Sequence, residues 1–191
     1  MEITVLLKCS DNEFKKQLQD NSFVIVDRIK KLDCYFFPEH LDYRVIPNVE
    51  LFNHALILCS ENEELCIVRK IKDYDSEENI LCEEANSLCV SSPIKESKKF
   101  LESIGYKEFF YIEQDMDIYE KNGIQVYLQR VYDGDNKYCV LEFEKPNTVN
   151  GFDTPFIMSQ WLSDNGLSID ESNLFIKKGF IAMDNFKNKT C

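Results

Sequence analysis

Three glutamates carry the most suggestive chemistry in this chain. Glu142 and Glu144 sit two residues apart in YCVLEFE (138–144), and Glu2 opens the alternating run EITVLLK (2–8). Alternate residues of a strand project from one face, so Glu142 and Glu144 belong with Tyr138 and Val140, while Cys139, Leu141 and Phe143 form an apolar face. Carboxylate oxygens grouped in this way are the donors that a hard divalent cation prefers. Basic residues able to face an anion are scattered: Lys8, Arg44, Arg69, Lys70 and Arg130. On the residues alone, the glutamates equally suit the solvent face of an edge strand, and the run R-K-I-K from Arg69 a solvated strand end.

Elements must hold these groups in place. The strongest signal is the hairpin from Ile124 to Glu144, where two runs rich in Val, Tyr, Leu and Phe flank the turn formers Asp133-Gly134-Asp135-Asn136. The first strand, 2–8, has one fully apolar face of Ile3, Val5 and Leu7. Ser10 caps a short helix carrying Phe14 and Leu18 and ending near Asn21. Strands are predicted at Phe23–Asp27, Leu32–Phe37, His54–Cys59 and Glu64–Lys72, with a loop or edge strand over Pro38–Pro47. The acidic stretch Asp73–Asn79 reads as a solvated loop, and Ile80–Val90 as one strand or two. Ser92-Pro93 opens a helix with Ile94, Leu101 and Ile104 on one side and Gly105 at its end. Glu108–Tyr119 is aromatic and β-prone. Thr154-Pro155 starts a further helix in which Phe156, Ile157 and Trp161 are expected as core, and a helical turn or two is expected after Asp170.

With 191 residues, 44% hydrophobic, the chain can bury a sizeable core, most simply as one domain. A net charge of -12 argues against partners held by phosphate-backbone or anionic-membrane fields, so neither nucleic acid nor membrane is expected. Glu2 and Lys8 interrupt the first ten residues, which read neither as a leader nor as a span. None of the eight cysteines lies two residues from another, His40 and His54 stand alone, and no zinc motif is legible. The expectation is a cytoplasmic protein with reduced cysteines acting as small hydrophobes.

About eight meandering strands can close and hide their edges. In this order the residues resemble the CYTH family, the adenylyl cyclase and thiamine triphosphatase group with a triphosphate tunnel fold. The resemblance runs over roughly residues 1–182. It rests on Glu2-Ile3-Thr4-Val5 for the alternating E-x-E-x-K strand, Asp33-Cys34-Tyr35-Phe36 for D-x-Y-F, and Ala55-Leu56-Ile57-Leu58-Cys59 for A-L-R-I-R. Phe100-Leu101 to Gly105-Tyr106 and Glu142-Phe143-Glu144 complete it. It implies an α+β fold: a closed antiparallel eight-stranded β-barrel or tunnel with helices packed outside. The barrel would take about residues 1–145 of a single domain of 1–191, and a helical part about 150–185. It also implies Mg²⁺ or Mn²⁺ on Glu2, Glu142 and Glu144, with a triphosphate ligand (nucleotide, thiamine triphosphate or tripolyphosphate) held by Lys70 and other basic residues.

The chain departs from that pattern where charge matters. Thr4 and Leu6 replace an acid and a lysine, Ile57 and Cys59 replace two arginines, Gln129 replaces an aspartate, and Glu108–Glu120 contains no basic residue. Losing three or four charged hydrogen bonds of about 1.5–3 kcal/mol each removes roughly 5–10 kcal/mol of triphosphate binding. That weakens binding on the order of 10⁴-fold to 10⁷-fold. Unless Lys8, Arg44, Arg69 and Arg130 take over, impaired catalysis is expected, and enzymatic activity stays open. The alternative is a non-catalytic scaffold or protein-binding module of the same fold, similar in style to a Mediator head subunit, its interior filled by Leu6, Ile57 and Cys59.

Overall fold

Periodicity, caps and turn residues place fourteen elements in a computed structural model, which describes residues 2–62, 64–74, 80–144, 152 and 154–190, the side chains of 2, 74 and 80–83 excepted. In chain order these are β1 (Glu2–Leu6), α1 (Asp11–Asp20), β2 (Val24–Pro38), α2 (Asn48–Leu51) with a 3₁₀ turn at Phe52–His54, β3 (Leu56–Glu61), β4 (Glu64–Tyr74) and β5 (Ile80–Cys89). Then follow α3 (Ile94–Ser103), β6 (Tyr106–Lys121), β7 (Ile124–Asp133), β8 (Asn136–Glu144), α4 (Pro155–Asp164) and α5 (Lys178–Thr190).

The strands form one eight-stranded sheet in the order β1-β8-β7-β6-β2-β3-β4-β5. Eight strands, antiparallel pairing and an α+β content agree with the expectation from sequence. Closure into a barrel is not shown: among the described residues the strand order runs from β1 to β5 with no pairing between those two. The edge of β1 turned away from β8 is taken by another segment, because Thr4 N–H donates to Leu174 O at 2.9 Å and Ile176 N–H to Thr4 O at 2.9 Å.

Two compact units divide the chain: residues 1–30 with 114–177, and residues 31–113 with 178–191. In the first, β1, β7 and β8 turn Ile3, Val5, Val126, Leu128, Leu141 and Phe143 towards α1 and α4. α1 forms because Ser10 and Glu13 make a reciprocal capping box, Ser10 N–H to Glu13 Oε2 at 2.8 Å and Glu13 N–H to Ser10 Oγ at 3.3 Å. Its Phe14 and Leu18 are fully buried in that core, as their spacing predicts. α4 starts at Thr154, whose hydroxyl accepts from Ile157 N–H, with Pro155 in the first turn. Its buried side is Met158, Ser159 and Leu162, with Trp161 packed edge-on to Phe23 and tilted on Phe143. Phe156 and Ile157, expected as core, are exposed: being apolar along most of its length, the helix offered no period to say which side turns in.

In the second unit, Cys34, Phe36, Leu58 and Leu101 form a core under α3. α5 joins an aromatic group there, with Phe180 on Phe52 at 4.9 Å and Phe186 stacked on Phe109 at 5.1 Å. Asn48 fixes the helix further, donating to Asp184 and accepting from Lys187. The two strands expected at Phe23–Asp27 and Leu32–Phe37 are one fifteen-residue strand, β2, which runs through the charged stretch Asp27–Lys31. The helix expected after Asp170 begins at Lys178 instead, because the segment before it is bonded to β1. Pro93 rather than Ser92 stands at the N-cap position of α3, with no side-chain capping bond. Of the acidic stretch expected as a loop, Asp73 and Tyr74 end β4 and 75–79 lie outside the described residues.

Candidate functional site

β1 and β8 pair antiparallel so that Glu2 stands opposite Glu144 and Thr4 opposite Glu142, while β7 sets Tyr127 opposite Glu142 from the other side. The register therefore gathers the three predicted acids at one end of a three-strand ladder. Directly opposed residues share a face. Since Leu141 and Phe143 point into the helix-covered core, Glu142 and Glu144 point away from it. Glu144 is exposed and Glu142 half-buried. The Tyr127 phenol is raised above its usual range by burial and then by the negative charge of Glu144 and Glu142.

That face is not basic. Thr4, Gln129, Val131 and Val140 on it are all buried, and among the described residues of β1, β7 and β8 no lysine or arginine shares it. Tyr138 lies there too; its hydroxyl is buried without a hydrogen-bond partner among the described residues, and burial, then the charge of Asp133, pushes it up. Leu6, expected as filling, is 38% exposed, whereas Cys59, in the second unit, is buried.

The basic residues proposed from sequence are not gathered with the acids within the first unit. Lys8 lies beyond the end of β1 and pairs with Asp170 at 2.7 Å. Arg130 stands opposite Cys139, with the parity of Leu128, so it projects from the helix-covered face. There its guanidinium donates to Asp117 Oδ2 at 2.7 Å, and Lys15 and Arg28 approach the same carboxylate at 3.1 Å and 3.5 Å. Asp117 is only 3% exposed. Three cations thus surround one carboxylate, a cluster the sequence analysis does not anticipate. Asp117 is one of several acids in a strand whose burial varies along its length, so nothing in the sequence singles it out. Arg44, Arg69 and Lys70 belong to the second unit. Arg44 lies over the Tyr43 ring at 5.4 Å, Arg69 is exposed opposite Asn86, and Lys70 stands opposite Ala85.

Carboxylates in this arrangement suit Mg²⁺ or Mn²⁺ in donor type. Among the described residues no group of three or more His, Cys, Asp or Glu side chains is gathered as a metal cage. Glu142 and Glu144 thus offer two ligands. No described helix is long and apolar enough to cross a membrane.

No protein-family model matches the chain, and no curated protein matches it. Solved structures share its fold. A conserved hypothetical protein from Pyrococcus furiosus matches with a TM-score of 0.60 at 14% identity, covering 91% of this chain and 94% of that one. A candidate adenylyl cyclase from Hippeastrum, described as having a dominant triphosphatase activity, matches with a TM-score of 0.54 at 13% identity over 97% and 96%. The Mediator head module of Schizosaccharomyces pombe contains a chain matching with a TM-score of 0.51 at 12% identity over 85% and 90%. The expected likeness of fold to adenylyl-cyclase-type proteins therefore holds, at identities that speak for fold alone.

Proposed function

We propose that this chain is a divergent triphosphate-tunnel protein in which Glu2, Glu142 and Glu144 hold a Mg²⁺ or Mn²⁺ ion and a triphosphate compound binds through that ion, with catalysis impaired. One observation carries the reading: the register that sets Glu2 opposite Glu144 and leaves Glu142 and Glu144 on the face away from the core. The ion would supply charge neutralisation to a bound triphosphate, and water or ligand oxygens would complete its shell. The chain's own part is to position that ion on a rigid ladder.

Phosphoryl transfer needs cations placed where charge develops, and basic side chains usually share that work with the metal. The face carrying Glu142 and Glu144 offers none among the described residues of its three strands. Lys8 and Arg130 are committed to Asp170 and Asp117. Binding through the metal with slow or absent turnover follows. The free thiols of the described cysteines suit a reducing, cytoplasmic setting.

The test is thermal denaturation of the full chain with Mg²⁺ or Mn²⁺, alone and with tripolyphosphate, ATP or thiamine triphosphate, alongside assays for released phosphate and pyrophosphate. Stabilisation that needs ion and triphosphate together, with turnover far below one per second, is the expected result. No stabilisation by any pair would sink the reading.

A second reading, a protein-binding module of the same fold, is favoured by the buried, uncharged Val131 and Val140 on that face and by the Mediator likeness. A stoichiometric protein partner recovered by pull-down, together with no response to triphosphates, would establish it.

A further inference from the structure

The eight cysteines show no close spacing in the sequence, yet the ladder lines three of them up. Cys59 on β3 stands opposite Cys66 on β4, and Cys66 stands opposite Cys89 on β5. Opposed residues share a face, so three thiols form a row across three strands. All three are free. Burial falls along the row, from Cys59 at 7% exposure through a half-buried Cys66 to an exposed Cys89 on the last strand of the sheet.

Backbone polarity separates the two neighbouring pairs. Val90 N–H donates to Leu65 O at 2.8 Å, so the Leu65 backbone groups face β5. Its successor Cys66 must then turn its N–H and C=O towards β3. Cys59 and Cys66 are consequently a hydrogen-bonded pair, with Cα atoms about 5.5 Å apart and side chains splayed, whereas Cys66 and Cys89 are a non-hydrogen-bonded pair at about 4.5 Å with side chains closer. Both spacings lie within the roughly 4.4–6.8 Å that a disulfide spans, and the closer side chains of the second pair single it out. Cys59 is also the poorest reactant of the three: burial and then the neighbouring Asp33 push its thiol up.

We propose that Cys66 and Cys89 are a redox modification site, a cross-strand dithiol that hydroperoxides close to an intrachain disulfide and thiols reopen. The exposed Cys89 thiolate attacks one peroxide oxygen, the O–O bond breaks, hydroxide leaves, and Cys89 becomes a sulfenic acid. Cys66 then attacks the Cys89 sulfur, the S–S bond forms and the sulfenic oxygen departs as water. In sum, two thiols and one hydrogen peroxide give one disulfide and two waters: the sulfurs are oxidised and the peroxide oxygens reduced. An exposed disulfide of this kind belongs to the labile, reducible class. The link ties the terminal strand β5 to β4, and it is independent of any cation or triphosphate bound elsewhere.

The experiment treats the fully reduced, intact chain with hydrogen peroxide, blocks remaining thiols with an alkylating agent, and digests with trypsin without reductant. Cleavage after Arg44, Arg69, Lys72 and Lys95 puts Cys66 on one peptide with Cys59 and Cys89 on another with Cys82, so fragmentation of any joined product assigns which two sulfurs are linked. The expected product joins the Cys66 and Cys89 peptides, lacks two hydrogens, disappears on adding dithiothreitol, and dominates over other linkages in the folded protein but not in urea. Cys89→Ser should leave Cys66 open to alkylation after the same treatment. A Cys59–Cys66 link, a link between two chains, or sulfinic acid on Cys89 with no joined peptide would overturn the proposal. So would an equal yield in urea.

Discussion

Arg130 and Gln129 are neighbours in sequence but serve opposite faces of β7. Gln129 stands opposite Val140 on the face with Glu142, while Arg130 reaches through the helix-covered side to Asp117 at 2.7 Å. The one basic residue of β7 is thereby withdrawn from the acidic ladder.

Replacing Asp117 by Asn should strip Arg130 of its carboxylate beside a core and leave Lys15 only Asp11 at 3.6 Å, at a cost of about 3–5 kcal/mol in urea unfolding. Burial alone would raise the Asp117 carboxyl, but hydrogen bonds from Arg130 and Lys15 outweigh it and hold the group below its usual range. A carboxyl depressed by folding stabilises the protein above its unfolded pKa and loses that contribution as pH falls through the folded value. Wild-type stability should therefore drop below about pH 4, and the drop should be shallower in the Asn variant. Matching acid profiles would show that the pairing contributes nothing.

Glu142→Gln and Glu144→Gln should each bring the Tyr127 phenol down towards its ordinary range, since both charges help raise it after burial. Saturating Mg²⁺ should do the same in the wild type and not in the double variant. Tyrosine-labelled NMR titration reads both effects, and a Tyr127 signal indifferent to Mg²⁺ would count against an ion at this ladder.

Gly166→Ala should destabilise the first unit by roughly 1–3 kcal/mol. Gly166 has φ of +77°, and an added Cβ would run into the Asn21 side chain, which donates to Gln17 O at 2.8 Å and to Gly166 O at 3.3 Å. Thermal melts check it; an unchanged Tm would mean that Asn21 swings away freely.

Lys8→Met should return the Asp170 carboxyl from about 2 towards the usual carboxylate range, because the Lys8 hydrogen bond is the largest of the influences holding it down. The remaining depression belongs to the Ser172 hydroxyl and amide. Carboxyl-carbon NMR measures the shift, and no change would remove Lys8 from that role.

How much of this was legible depended on whether a signal was local. Ser10 with Glu13, Thr154 with Pro155, and the glycine turns at Gly123 and Gly134 sit next to the elements they shape, so α1, α4 and the β7–β8 hairpin could be read directly. Strict alternation fixed which side of β8 carries Glu142. β2 was misread as two strands because Arg28, Lys30 and Lys31 resemble a break, although a strand exposed on both faces over its first residues tolerates charge. α5 is placed too early and too short by the sequence because its apolar residues, Phe180, Ile181 and Phe186, mark no clear stripe and find their aromatic partners more than seventy positions earlier. The Asp117 cluster joins four elements, α1, β2, β6 and β7, and no spacing within one of them announces it.

Because α5 belongs to the unit built from residues 31–113, that unit is assembled from two stretches of chain separated by the whole of residues 114–177. Phe52 and Phe109 leave the ribosome long before Phe180 and Phe186 arrive to cover them. During synthesis Phe109 lacks that cover for about 77 further residues and Phe52 for about 128, made at roughly 5–20 residues per second. A nascent chain stalled in that interval is the form most open to chaperones and proteases.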